Sequence, residues 1–184
     1  MNKFLFFKIS AIIFFIGCTS NISKSSEIDL KFKALDSDVT GVTFNNRLKS
    51  NTDLNIIEYL YYYNGGGVAL GDINNDGLDD IFFSGNEVND QLYLNQGNMV
   101  FKNISKSSGI ANQNNWSTGA SMADVNNDGF IDIYVSTVSD YKNLKGHNRL
   151  YINNGDLTFT ESSKKIGLDF EGFGTHASFF DYDN

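Results

Sequence analysis

Two short stretches of this chain place oxygen-bearing side chains at alternating positions around a glycine. The first reads Asp72, Asn74, Asp76, Gly77, Asp80, and the second Asp124, Asn126, Asp128, Gly129, Asp132. Three carboxylates and one amide oxygen at this spacing converge on one point only if the backbone curls tightly. Glycine at the sixth position permits the left-handed conformation that such a curl needs. The backbone carbonyls of Leu78 and Phe130 fall at position seven and add one more oxygen each. A donor set of hard oxygens with no His or Cys suits Ca2+ over Zn2+ or copper. Carboxylates about 4 Å apart repel by ~1 to ~4 kcal/mol per pair, depending on the local dielectric, and a bound cation reverses that sign. An EF-hand shares this first half but closes with a bidentate Glu at position twelve. Here position twelve is Phe83 or Val135, each in an apolar run, so the EF-hand reading fails.

The elements that must hold these loops are repeated with them. Residues 67–81 recur at 119–133, and a third copy starts at Ala177 and reaches Asp181 and Asp183, which match positions one and three. Gln91-Leu92-Tyr93-Leu94-Asn95-Gln96-Gly97 likewise recurs as Arg149-Leu150-Tyr151-Ile152-Asn153-Asn154-Gly155. Each period of roughly 55 residues holds four short strand signals, the pattern of a propeller blade. In the first copy these are Val68-Ala69-Leu70, Ile81-Phe82-Phe83, Leu92-Tyr93-Leu94 and Val100-Phe101. In the second, Ile131, Ile133 and Val135 alternate with Asp132 and Tyr134, the period-two signature of a strand. No segment carries an amphipathic helical period. The expected fold is all-β: a partial β-propeller of two to three four-stranded blades forming an open arc.

The loops, the Gly-Gly-Val-Ala-Leu-Gly and Thr-Gly-Ala-Ser-Met-Ala strands before them, and the Leu-Tyr-Leu-Asn-Gln-Gly segment resemble FG-GAP/VCBS repeats. The resemblance spans roughly residues 40–184 and implies blades of an integrin-α-like β-propeller with Ca2+ loops. It implies that Asp72, Asn74, Asp76 and Asp80, with Asp124, Asn126, Asp128 and Asp132, are the ligands. The run Tyr61-Tyr62-Tyr63-Asn64-Gly65-Gly66-Gly67-Val68 resembles a bacterial subgroup whose propeller is followed by an ASPIC/UnbV domain. The third loop departs from the pattern, because only its first and third positions are present.

The amino terminus reads as an address. Lys3 and Lys8 precede an apolar run from Ile9 to Gly17, too short for the ~20 residues that cross a bilayer. It fits a signal peptide. Phe15-Ile16-Gly17-Cys18 resembles a bacterial lipobox, which implies cleavage after residue 17, acylation of Cys18 and anchoring in a bacterial envelope, at the outer membrane or cell surface. Cys18 is the chain's one cysteine, so an internal disulfide framework is excluded. The domains expected are therefore a leader at 1–17, a Ser-rich lipid-anchored tether at 18–39, and repeats at 40–184 with loops at 72–80 and 124–132 and an incomplete third from 181. A chain that stops inside a third loop is expected to be a fragment of a larger propeller, with an unpaired blade edge.

With 14 Lys+Arg against 22 Asp+Glu, the net charge is −8, which opposes binding to nucleic acid through phosphates. The leader removes two lysines and no acid, so the mature chain is more acidic still. No nucleophile–base–acid order, phosphate loop or HExxH occurs. His147 reads as a solvated loop residue, and His176 as a residue of a strand or blade junction. The run Tyr59-Leu60-Tyr61-Tyr62-Tyr63 reads as a strand burying one face, against the alternative of a sugar-stacking platform. Trp116 is weighed as a cap on a blade face. The function expected is a non-catalytic, exported, Ca2+-binding scaffold for binding or adhesion, with a glycan or protein ligand. The alternative is the amino-terminal part of a Ca2+-dependent polysaccharide-acting enzyme whose catalytic residues lie beyond residue 184.

Overall fold

The computed structural model describes residues 32–110 and 115–182. The leader, Cys18 and most of the tether lie outside the described residues, as do Asp183 and Asn184. One compact unit, 35–184, contains all the regular structure among the described residues. Its first element is a single helical turn, α1 (Ser37–Thr40), capped by the Asp36 side chain and ended by Gly41 in the left-handed region (φ 75°). Eight strands follow: β1 (Val68–Gly71), β2 (Asp80–Phe83), β3 (Gln91–Asn95), β4 (Phe101–Asn103), β5 (Trp116–Ala123), β6 (Asp132–Val138), β7 (Arg149–Asn153) and β8 (Phe159–Glu161). A second helical turn, α2 (Ser163–Ile166), closes the series.

The strands form two antiparallel four-stranded meanders, β1-β2-β3-β4 and β5-β6-β7-β8. The registers are equivalent: Ile81 faces Tyr93 in the first sheet, and Ile133 faces Tyr151 in the second. These are consecutive blades of a partial β-propeller, and the sequence expectation of four short strands per repeat is met with boundaries one or two residues apart. Alternation explains the packing. Ala69, Phe82, Leu92 and Leu94 from the first blade join Ala120, Ile133, Val135 and Tyr151 from the second in one buried cluster between the sheets. The opposite face of the first sheet is covered by the segment after α1. Phe44 stacks on Phe83 at 4.8 Å and 13°, and the Thr43 N–H donates to the Tyr93 hydroxyl at 3.2 Å.

The innermost strands meet almost backbone to backbone. A methyl group on Gly67 would lie 2.8 Å from both the Gly119 Cα and the Ala120 nitrogen. One on Gly119 would run into the Thr175 carbonyl. The same junction hydrogen bond also appears twice: Ser117 N–H to Gly85 O at 3.0 Å, and Gly174 N–H to Thr137 O at 2.9 Å. The chain from Gly172 to Ala177 therefore sits on the second blade as the start of β5 sits on the first, with Ser121 donating to the Ala177 carbonyl. The Phe179 ring covers Tyr134 edge-on at 5.8 Å.

Glycine at these junctions is a packing requirement, not a turn requirement. Gly67→Ala is expected to force the two blades apart and lower stability by about 1–3 kcal/mol. Equilibrium urea denaturation measures this; an unchanged midpoint would show that the junction has slack.

Candidate metal centre

Each acidic loop leaves the end of an inner strand and returns into the next one, and the two are hydrogen-bonded alike. In the first, Asp72 Oδ1 accepts from Asp76 N–H at 3.1 Å and Oδ2 from Gly77 N–H at 2.7 Å. In the second, Asp124 accepts from Asp128 N–H at 3.2 Å and from Gly129 N–H at 2.8 Å. Asn74 donates to Asp76 at 3.0 Å, as Asn126 does to Asp128 at 2.8 Å. Asp76 and Asp128 accept from the N–H groups of Leu78 and Phe130, both at 2.9 Å. The curl uses two left-handed residues per loop. Gly77 (φ 84°) and Gly129 (φ 88°) are the expected ones, and Asn75 and Asn127 (both φ 60°) are additions that sequence reasoning missed. Asparagine tolerates this conformation better than most residues, which is the signal the paired Asn-Asn carried.

Asp80 and Asp132 differ from the other acids in being buried. Asp80 Oδ2 accepts from Ile73 N–H at 3.0 Å and Oδ1 from Asn95 N–H at 2.7 Å. Asp132 does the same with Val125 at 3.0 Å and Asn153 at 2.8 Å. Each therefore ties the start of its loop to the end of the third strand. Burial pushes both carboxyls up from the ordinary Asp range, against the pull of those N–H donors; the charges of Asp76 and Asp72, or of Asp128 and Asp124, add to the rise. At Asp72, desolvation is outweighed by four backbone N–H groups, and the carboxyl is held low. At Asp124, the Gly129 N–H leads the same effect.

The set is thus all oxygen, gathered in one tight loop, and mutually repulsive, which fits a hard divalent cation in kind. Its oxygens are turned towards backbone donors, and among the described residues no three His, Cys, Asp or Glu side chains stand close enough together to grip an ion. A carboxylate oxygen that accepts one hydrogen bond keeps a further lone pair, so ligation and these bonds are compatible.

Further hydrogen bonds hold the loops in place. Asn75 donates to the Gly129 carbonyl at 3.0 Å, joining one loop to the next. Asn153 donates to Ile73 O at 2.8 Å and Ile131 O at 3.1 Å, and Asn95 to Asp79 O at 2.8 Å. Their signal in the sequence was the Asn that ends each Leu-Tyr-Leu/Ile-Asn repeat. Of the third loop, Asp181 is exposed and Asp183 lies outside the described residues. His147 is partly exposed, 4.0 Å from Glu161, and His176 is exposed beside the blade junction.

Residues 72–135, from the first loop acid through the second loop into β6, match the family described as FG-GAP-like repeat. The match thus takes in β2 to β5 and the start of β6, parts of both blades described above. The chain is also similar to cartilage acidic protein 1 of Xenopus tropicalis, 32% identical over 103 residues, which is 54% of this chain and 15% of that protein. Against the Mus musculus protein of the same name it is 34% identical over 91 residues, 50% of this chain and 13% of the relative. The chain thus spans about one seventh of the length of these relatives.

The buried and exposed acids should separate on mutation. Asp132→Ala orphans two N–H groups and is expected to cost about 2–6 kcal/mol, at one to three for each. Exposed Asp128→Ala is expected to cost about 1 kcal/mol, as for a lost capping side chain. Urea melts of the EDTA-treated chain decide it; equal losses would contradict the clamp.

Proposed function

We propose that this chain is a stretch of a calcium-stabilised propeller that serves as an exported, non-catalytic binding or adhesion scaffold. The observation that supports it most is the same acidic loop, built bond for bond, in two adjacent blades. The ion would draw on Asp72, Asn74, Asp76 and Asp80 in the first loop and on Asp124, Asn126, Asp128 and Asp132 in the second, with the Leu78 and Phe130 carbonyls. Burial is the main reason that Asp80 and Asp132 are raised, and the ion would offset the smaller part that comes from the neighbouring loop carboxylates. The blade architecture supports the scaffold role, since propellers present loops from a rigid frame. Export and a lipid anchor at Cys18 rest on the leader sequence. A following ASPIC/UnbV domain rests on the Tyr-Tyr-Tyr-Asn-Gly-Gly-Gly-Val stretch.

Calcium titration of the purified chain by calorimetry should give heat with Kd of ~10^-4 to 10^-3 M, as for extracellular modules. At tenfold excess over Kd, binding should add about 1.4 kcal/mol per loop, about 2.8 kcal/mol for both, and raise the melting temperature by several degrees. No heat and no melting shift at millimolar Ca2+ sinks the metal reading. Asp72→Ala with Asp124→Ala should abolish both signals.

The anchor has its own test. Expressed in a diderm bacterium, the chain should incorporate labelled palmitate and partition with membranes, and Cys18→Ser should lose both. A soluble, unlabelled wild-type chain would refute the lipid anchor.

A further inference from the structure

The segment before β1 turns where the sequence suggested a strand. Tyr62 N–H donates to Tyr59 O at 2.9 Å and Asn64 N–H to Tyr61 O at 3.0 Å, so successive tyrosines splay apart. Tyr59 and Tyr62 go inward. The Tyr59 ring meets Trp116 edge-on at 5.8 Å and 86°, and Tyr62 lies 5.3 Å from the same indole. Tyr141 and Phe173 pack on Tyr59 at 5.8 and 6.4 Å. Tyr61 goes outward: it is 61% exposed, with its ring 5.9 Å from Tyr59.

Between these rings opens a pocket of about 210 Å3, commensurate with a single hexose ring. Tyr59, Tyr61 and Trp116 form its apolar walls; Asn64, Thr118 and Thr175 supply an amide and two hydroxyls. Three successive repeats contribute, because Asn64 precedes β1, Thr118 lies on β5, and Thr175 holds the place equivalent to Thr118 in the third copy. In a chain of 36 charged Asp, Glu, Lys and Arg residues, the 14 basic and 22 acidic together, no charged side chain lines this pocket.

We propose that this pocket binds a neutral saccharide. The proposal deepens the binding reading above and rests on it, but not on calcium. A sugar ring has an apolar C–H face and a rim of hydroxyls, and the pocket has the same division. Tyr59 and Trp116 are buried and held by packing, and exposed Tyr61 offers the open ring face on which a sugar can stack. The Thr118 hydroxyl donates to Gly174 O at 2.7 Å, which leaves its lone pairs to accept from a sugar hydroxyl. The Asn64 amide both donates and accepts. An ionic ligand would be desolvated with no counter-charge, and an apolar one would leave the polar wall unsatisfied.

Trp116 is the chain's one tryptophan and reports on the site directly. The full chain is titrated with glucose, galactose, mannose, N-acetylglucosamine and cellobiose, with glucuronate and glucosamine as charged comparators, in Ca2+ and in EDTA. At least one neutral sugar should change Trp116 fluorescence saturably, with Kd in the millimolar range. Binding should weaken roughly tenfold in Tyr61→Ala and in Asn64→Ala, a loss of one stacking or hydrogen-bonding contact, and persist in Tyr61→Phe. Both residues are exposed, and unchanged circular dichroism verifies that the variants fold. No saturable response to any neutral sugar overturns the proposal, as does a response that Tyr61→Ala leaves intact or one confined to the charged comparators. If calcium heat survives that failure, the scaffold reading stands without this pocket; sugar binding with no calcium heat removes the metal reading alone.

Discussion

Asp80 and Asp132 stand where an inner strand, its loop and the third strand of the blade meet, and their carboxylates tie all three together. Each is a carboxylate taken out of water, an arrangement that is unfavourable unless both oxygens are satisfied. Two backbone N–H groups satisfy them, one from the second residue of the loop and one from the end of the third strand. The loop cannot open without stranding a buried charge, and the third strand cannot slip in register without losing its partner. The other acids of the loop make the same carboxyl harder to ionise. The site thus carries an internal tension that a cation at the loop would relieve, and it sits on the strand pairing that defines the blade.

That tension is shared between blades. Asn75 reaches the carbonyl of Gly129, and Asn153 reaches that of Ile73, so either loop is braced by the backbone or side chain of its neighbour. The inner strands are held together at Gly67 and Gly119, where no Cβ fits. Contacts of this kind run only to the next repeat, and stability is then a sum of blades and of the interfaces between them. Ordering one loop should therefore help order the next, through atoms already in contact.

The repeated parts of this architecture were legible because repetition multiplies evidence. The acidic spacing, the four strand signals and the glycine at position six each occur twice; the structure places the strands and the left-handed glycines as the spacing implies, while the loop carboxylates turn to backbone N–H groups. The left-handed Asn75 and Asn127 were within reach, since an Asn-Asn pair before Asp-Gly is itself a turn signal. What stayed hidden was whatever occurs once. Tyr59 to Tyr63 has strong strand propensity, yet the run turns, because Tyr59 and Tyr62 find an aromatic niche made by Trp116, Tyr141 and Phe173, residues far away in sequence. Tertiary packing overrides propensity there. Nor could spacing show that Phe44 would lie flat on Phe83 to cover the outer face of the first sheet.

The proposed metal loops and the proposed sugar pocket lie at opposite ends of the inner strands. The acidic loops follow the last residues of β1 and β5, whereas the aromatic pocket is built before β1 and at the start of β5. From Thr118 to Asp124 the extended chain covers on the order of 20 Å. A cation in the loop is thus too far from the pocket to touch a ligand held there, and screening by salt would erase most direct electrostatic influence over that distance. Whatever one site does to the other must pass through the rigidity of β1 and β5 and the glycine junctions that lock them. Metal and ligand would then be coupled through the frame, and the strength of that coupling would reflect how firmly the blades are packed.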